Sequence, residues 1–311
     1  QIRIALAGNP NCGKTTMFNN ITGAKQHVGN YAGVTVEKKE GHTNFNGRDL
    51  LFIDLPGTYS LTARSLDELV ARNVIVNDNP DVIVNVLDAS NLERNLYLAA
   101  QLLELEKPMV IALNMSDVAE EMGIKYDFKK MAELTGATIV STVGRTNIGT
   151  KELLEATISV AASQKAPGVT VNYGDLLEGK IAELVAALEE AGTVTYPLRW
   201  IAIKLLENDP DVVEKVKGFA NTEAVLQKAA AIREEIKDQV DLDIVFQEYR
   251  HRYAVEVYNQ SLTQAPKEIE TRSDRYDKIL THRIWGLPIF MIVMYLLFAF
   301  VNIVGGIPQG W

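Results

Sequence analysis

The sequence predicts an α/β fold with a mostly parallel sheet, a small all-α domain after it and a C-terminal hydrophobic segment. Three observations carry this. Over residues 1–165, short β-branched runs alternate with amphipathic stretches, the pattern of strands covered by helices on both faces. Beyond Ala166-Pro167-Gly168 such runs all but vanish, and Leu, Ala, Glu and Lys dominate to about residue 262. Residues 284–311 are uncharged, and 289–301 is almost continuously apolar, so the segment is long enough to span a bilayer.

Taken in order, strands are expected at residues 2–7, 50–54, 82–87, 109–114 and 138–140. Between 34 and 54, Asn46-Gly47 separates two extended runs, which reads as an antiparallel hairpin at one edge of the sheet. In the helical part, Val245, Tyr249, Tyr253 and Val257 recur every four residues and are expected to share one buried stripe. The expected division is 1–165, 166–264, a linker at 265–283 with Pro266 and mixed charge, and 284–311, read as a truncated first transmembrane segment. Arg272, Arg275, Lys278 and Arg283 precede that segment, which by the positive-inside tendency keeps the rest in the cytoplasm.

Composition narrows the partners. A chain of 311 residues exceeds one ordinary core. Its net charge of -9, with no Lys/Arg block, argues against a nucleic-acid partner, because phosphate backbones need a concentrated basic face. The one cysteine, Cys12, permits neither an internal disulfide nor a thiolate metal site and fits a reducing compartment. The chain opens in a strand-like run without the pattern of a signal peptide.

The chemistry is concentrated in short motifs. Gly8-Asn9-Pro10-Asn11-Cys12-Gly13-Lys14-Thr15, followed by Thr16, fits G-x-x-x-x-G-K-[ST] between a strand and a helix. Gly8 and Gly13 let backbone N–H groups wrap a phosphate, Lys14 neutralises the β- and γ-phosphates, and the Thr15 hydroxyl is placed to hold Mg²⁺. Asp54-Leu55-Pro56-Gly57 ends a strand with a carboxylate for Mg²⁺ and a glycine whose N–H can approach the γ-phosphate. Asn114-Met115-Ser116-Asp117 ends another strand. D-x-x-G and N-x-x-D carry little alone; their order and shared position at carboxyl strand ends, where such sheets bind ligands, carry the reading.

The Asp117 carboxylate can accept two hydrogen bonds from the N1–H and N2–H₂ edge of guanine, and adenine offers no such pair. The expected ligands are therefore GTP and GDP. Asn114 is expected to tie the phosphate loop to the base loop, and Ser141-Thr142-Val143 to present backbone N–H to the guanine oxygen. Residues 29–37, with Gly29, Gly33 and Val34, read as a mobile loop in which Thr35 is the best-placed hydroxyl to complete the Mg²⁺ shell. The alternative is that Thr35 is only a β-branched residue starting a strand. Thr58, not glutamine, follows Gly57, so hydrolysis is expected to be slow.

With G-N-P-N-C-G-K-T-T, V-G-N-Y-A-G-V-T-V-E, D-L-P-G-T-Y-S-L, N-M-S-D, the helical-domain run Leu198 to Leu206 and the tail W-G-L-P-I-F, the chain resembles the bacterial ferrous iron transport protein B family over nearly all its length. The resemblance implies a Ras-like P-loop GTPase, a helical domain that slows nucleotide release, and a membrane portion carrying Fe²⁺ in the bacterial inner membrane. It further implies a K⁺ ion at Asn11, with carbonyls near Gly29 and Tyr31. Lys14, Asn11, Thr35 and Gly57 are then the catalytic set, the bilayer a partner, and small cytoplasmic regulators and self-association further contacts. His27, His42, His251 and His282 are scattered and suggest no iron site here. Two other readings stay open: a GTP sensor with negligible turnover, and a soluble GTPase of ribosome assembly or tRNA modification.

Overall fold

A computed structural model of the chain describes residues 1–23, 26–31, 34–265, 280–282 and 285–306. It forms two compact units, residues 1–265 and residues 266–311.

The first unit is built on a seven-stranded sheet in the order β2-β3-β4-β1-β5-β6-β8. Strands β1 (Ile2–Gly8), β4 (Arg48–Asp54), β5 (Val82–Asp88), β6 (Met109–Asn114) and β8 (Thr138–Ser141) are parallel to one another, while β2 (Gln26–Asn30) and β3 (Glu37–Phe45) form an antiparallel edge. The β3–β4 hairpin turns at Asn46-Gly47, both at positive φ as a tight primed turn requires. β1 and β5 are buried on both faces, which explains their unbroken runs of Ile, Val, Leu and Ala.

One face of the sheet packs Met17, Phe18 and Ile21 of α1 (Lys14–Thr22) and Leu153 and Leu154 of α6 (Thr150–Ser163). The other packs α2 (Leu66–Asn77) and α3 (Leu92–Leu103), whose core runs on into the helical layer. That layer comprises α7 (Gly174–Ala191), α8 (Leu198–Leu206), α9 (Pro210–Lys217), α10 (Glu223–Ile236) and α11 (Leu242–Ser261). The shorter α4 (Ser116–Glu121) and α5 (Phe128–Thr135) flank β7 (Lys125–Tyr126), which pairs with β9 (Leu262–Gln264) at the end of α11.

Two expectations for this unit need correction. Gln26–Asn30 is a strand, so Gly29 and Asn30 belong to the sheet edge and not to a loop; pairing with β3 supplies the hydrogen bonds that the glycine-rich sequence concealed. In α11 the buried positions are Phe246, Arg250, Ala254, Val257 and Ser261, so of the expected stripe Val257 is buried while the other three lie one step from Phe246, Arg250 and Ala254. Val245, Tyr249 and Tyr253 are only partly buried.

In the second unit the apolar run forms α12 (Gly286–Gly306), with Leu287, Phe290, Tyr295, Phe298 and Phe300 exposed. The expected span is not seen as such: among the described residues no helix is long and apolar enough to cross a membrane. The side chains described there end at Asn302, short of the roughly 20 apolar residues a span needs. Arg272, Arg275, Lys278 and Arg283 lie outside the described residues.

Candidate functional site

The loop 8–15 turns tightly between β1 and α1. Asn11 and Gly13 adopt positive φ, and a Cβ on Gly13 would lie 2.2 Å from the Asn114 amide nitrogen. A Cβ on Gly8 would lie 2.7 Å from the Val86 carbonyl oxygen. Close approach therefore requires both glycines, and at Gly13 the positive φ requires one as well. The α1 amino terminus has no side-chain cap, leaving its first N–H groups to the loop they face. Cys12 is buried, which pushes its thiol up to about 11 and makes it an inert packing residue.

Lys14 and Asp54 form a buried ion pair at the ends of the loop and of β4. Tyr31 donates its hydroxyl to the Asp54 carbonyl oxygen at 3.3 Å, a contact that no motif announces. The Thr58 N–H donates to the Gly8 carbonyl oxygen at 3.3 Å, and a Cβ on Gly57 would lie 3.4 Å from Pro10, so the 54–58 segment lies against the phosphate-loop candidate. Asn9 is buried beside it; its amide donates weakly to the Arg94 carbonyl oxygen at 3.5 Å, and its own Oδ1 has no partner among the described residues.

Asn114 is the joint of the site. Its Nδ2 donates to the Cys12 carbonyl oxygen at 2.8 Å, and its Oδ1 accepts from the Gly144 N–H at 2.8 Å and from the Thr142 hydroxyl at 3.4 Å. The phosphate loop and the 142–144 loop thus hang on one buried side chain. Met115, at positive φ, turns the chain so that Ser116 donates to the Thr142 carbonyl oxygen at 3.0 Å. Gly13, Thr16, Asn114, Met115, Asp117, Val118, Val143, Gly144 and Arg145 line a cleft of about 340 Å³. Asp117 is partly exposed there and accepts a hydrogen bond from Arg145 at 3.1 Å.

The expected backbone donors need correction. The Thr142 N–H is bonded to the Leu113 carbonyl oxygen at 2.9 Å and the Val143 N–H to the Ile148 carbonyl oxygen at 3.0 Å, so loop folding has used both, and neither is left for a ligand. Ser141 closes β8. Thr15, Thr16 and Asn11 are exposed at the rim. Thr35 sits exposed in the bend after the described part of β2, next to half-buried Val34, and Gly33 lies outside the described residues. Sequence reasoning missed Arg145, the Tyr31 hydroxyl and the Gly144 N–H, because nothing local marks a group whose partner is distant in the chain.

A profile of the family described as ferrous iron transport protein B matches residues 2–157, and one for the FeoB cytosolic helical domain matches residues 173–263. The chain belongs to the FeoB family. Curated FeoB relatives include a Porphyromonas gingivalis FeoA/FeoB fusion protein, 38% identical over the whole of this chain and 38% of its own length. Another, from Staphylococcus aureus, is 39% identical over 94% of the chain and 44% of its own length. The chain therefore spans less than half the length of these relatives. Among solved FeoB structures, the T. maritima cytosolic domain in its GMPPNP form has a TM-score of 0.75 at 31% identity, covering 85% of this chain and all of that one. A GDP-bound variant of the S. thermophilus FeoB G-domain has a TM-score of 0.78 at 34% identity, with the same coverage. The FeoB GTPase domain and its cytosolic helical domain thus make up the first unit.

Proposed function

We propose that this chain binds guanine nucleotide in the cleft, hydrolyses GTP to GDP and phosphate, and regulates Fe²⁺ movement through a membrane portion of its protein. The observation that carries the reading is Asn114, whose side chain ties the phosphate loop at Cys12 to Gly144 in a cleft that Asp117 also lines. The FeoB structures in GDP and GMPPNP forms support it.

In this reading Lys14 binds the β- and γ-phosphates, with Gly8, Asn9, Pro10, Asn11, Cys12 and Gly13 supplying the loop around them. Gly57 approaches the γ-phosphate, and Asp117 selects guanine. Asp54 and Thr15 offer the hard oxygen donors that Mg²⁺ prefers, with Thr35 joining from the neighbouring bend; bound there, the metal supplies positive charge for phosphoryl transfer. Asn11, exposed at positive φ, is the candidate K⁺ ligand. Hydrolysis is slow because Thr58 cannot orient water as glutamine does. The division into 1–165, 166–264, 265–283 and 284–311 accompanies this reading, with α12 entering the bacterial inner membrane and the rest on its cytoplasmic side.

The test is competition of GTP and ATP for a fluorescent guanine nucleotide on the 311-residue chain. A preference for GTP on the order of 10²-fold or more is expected, because buried hydrogen-bonding groups reject the base that leaves them unpaired. Equal affinities sink the base assignment. Phosphate release compared in KCl and NaCl tests the K⁺ site, and Asn11→Ala removes any potassium stimulation if the assignment holds.

A further inference from the structure

We infer that Arg145 is an affinity-determining residue of this site, an internal competitor that occupies the guanine-reading carboxylate of Asp117. The inference rests on the reading of Asp117 given above. The Arg145 guanidinium donates to Asp117 Oδ2 at 3.1 Å, and both side chains line the same cleft. A carboxylate's two oxygens offer about four lone-pair sites, and guanine recognition through N1–H and N2–H₂ engages both oxygens. The arginine and the base therefore share Oδ2, each weakening the other's hold on it.

The contact is held in place by the backbone around it. Gly144, immediately before Arg145, donates its N–H to Asn114 Oδ1 at 2.8 Å and accepts from the Asn20 amide at 2.6 Å through its carbonyl oxygen. The Val143–Ile148 bridge and the Thr146 N–H, 3.1 Å from the Val143 carbonyl oxygen, close the loop beyond it. Side chain 145 is thus launched from a fixed point toward Asp117. Its own exposure of 79% leaves it free to swing away, and that exposure also limits its strength. Exposed ion pairs contribute up to about 1 kcal/mol, equivalent to roughly five-fold in an equilibrium constant. Arg145 accordingly lowers guanine-nucleotide affinity by a modest factor and favours release.

The experiment measures the Kd of fluorescent GDP on the 311-residue chain for wild type, Arg145→Ala, Arg145→Gln and Asp117→Asn. Both arginine variants should bind two- to five-fold more tightly at low salt. That advantage should shrink between about 0.01 M and 1 M NaCl, as the Debye length falls from roughly 30 to 3 Å. Unchanged or weaker binding in both variants overturns the inference, as does an advantage that does not respond to salt. Asp117→Asn separates the two levels: if it leaves guanine binding intact, the base assignment fails; if it weakens binding while the arginine variants do not tighten it, only the role of Arg145 fails.

Discussion

At the carboxyl rim of the sheet, Lys14 and Asp54 form an ion pair, Thr15, Asn11 and Thr35 are exposed, and Asp117 is met by an arginine that is mostly in solvent. Where α3 meets the helical layer, Arg250 is fully enclosed. It donates to both Glu104 oxygens at 2.7 and 3.0 Å and to Glu207 at 2.6 Å, while the Tyr173 hydroxyl donates to Glu104 and Lys204 donates to Glu207 at 2.6 Å. Both regions are networks of charge, and they differ in what completes them. The junction satisfies its charges with protein groups, so removing a member strands the rest. The rim leaves donors and acceptors on loops, where a ligand can complete them.

The strongest way to break this contrast is Arg250→Met. With Glu104 and Glu207 left buried without their partner, a loss of about 3–5 kcal/mol in unfolding free energy is expected, measured by urea denaturation. Guanine-nucleotide Kd, measured on folded protein, should stay within about two-fold of wild type. A large change in Kd with little loss of stability would merge the two regions into one.

Next comes Lys14→Ala, whose effect belongs on the other side of the ledger of properties. GTP turnover should fall by about 10²–10³. Stability should fall by less than in Arg250→Met, since Lys14 is paired with one carboxylate, Asp54, whereas Arg250 holds two, Glu104 and Glu207. In the FeoB protein that carries this chain, the coupling proposed above predicts that the same substitution depresses Fe²⁺ uptake; undiminished uptake would disconnect the nucleotide site from transport.

How much of each region can be read from the sequence follows from the same difference. Lys14 and Gly13 stand in one contiguous motif, Asp54 and Asn114 each end a recognisable strand, and Asp117 follows Asn114 in the first turn of α4, so strand order brings them to one rim. Arg250 sits in E-Y-R-H-R-Y, which reads as a solvated helix face, and its partner Glu104 lies 146 residues away. Apolar periodicity therefore found Val257 and three half-buried positions packed on the core, and missed the more deeply buried Phe246, Arg250 and Ala254 beside them. β2 and β9 escaped for a related reason: strands of five and three residues draw their stability from a partner, and their own composition says little. The spent N–H groups of Thr142 and Val143 were equally hidden, being a property of loop closure and not of residue type.

Acid sharpens the comparison further. Burial would raise the Glu207 carboxyl, but Lys204 and Arg250 outweigh it and hold the group at about 2, below its ordinary 4.5. A depressed carboxyl stabilises the fold fully above the ordinary value, and that stabilisation is lost as pH falls toward the folded value. The window is therefore pH 4.5 down to about 2. Relative to Glu207→Gln, wild type should lose on the order of 2 kcal/mol by about pH 3, read as the difference between two urea midpoint curves. Parallel curves through that window would show that the carboxylate is not held by the network.

The smallest expected effect tests the boundary between the regions, because Arg72 touches both. Its Nη1 donates at 3.4 Å to the carbonyl oxygen of Leu61, in the segment after Gly57, whose N–H is held by the Gln101 amide oxygen at 2.5 Å. The same guanidinium is forked on Asp209, the cap of α9, at 2.5 and 3.3 Å, and reaches Asp211 at 2.7 Å. Arg72→Lys keeps the charge and loses the fork, so a cost of about 1–2 kcal/mol in stability is expected. If the rim and the junction are energetically separate, GTP turnover should follow wild type at a temperature where both proteins are folded. A change in turnover beyond about three-fold, larger than the stability loss explains, would instead mean that the helical layer sets the position of the segment following Gly57 through this one side chain.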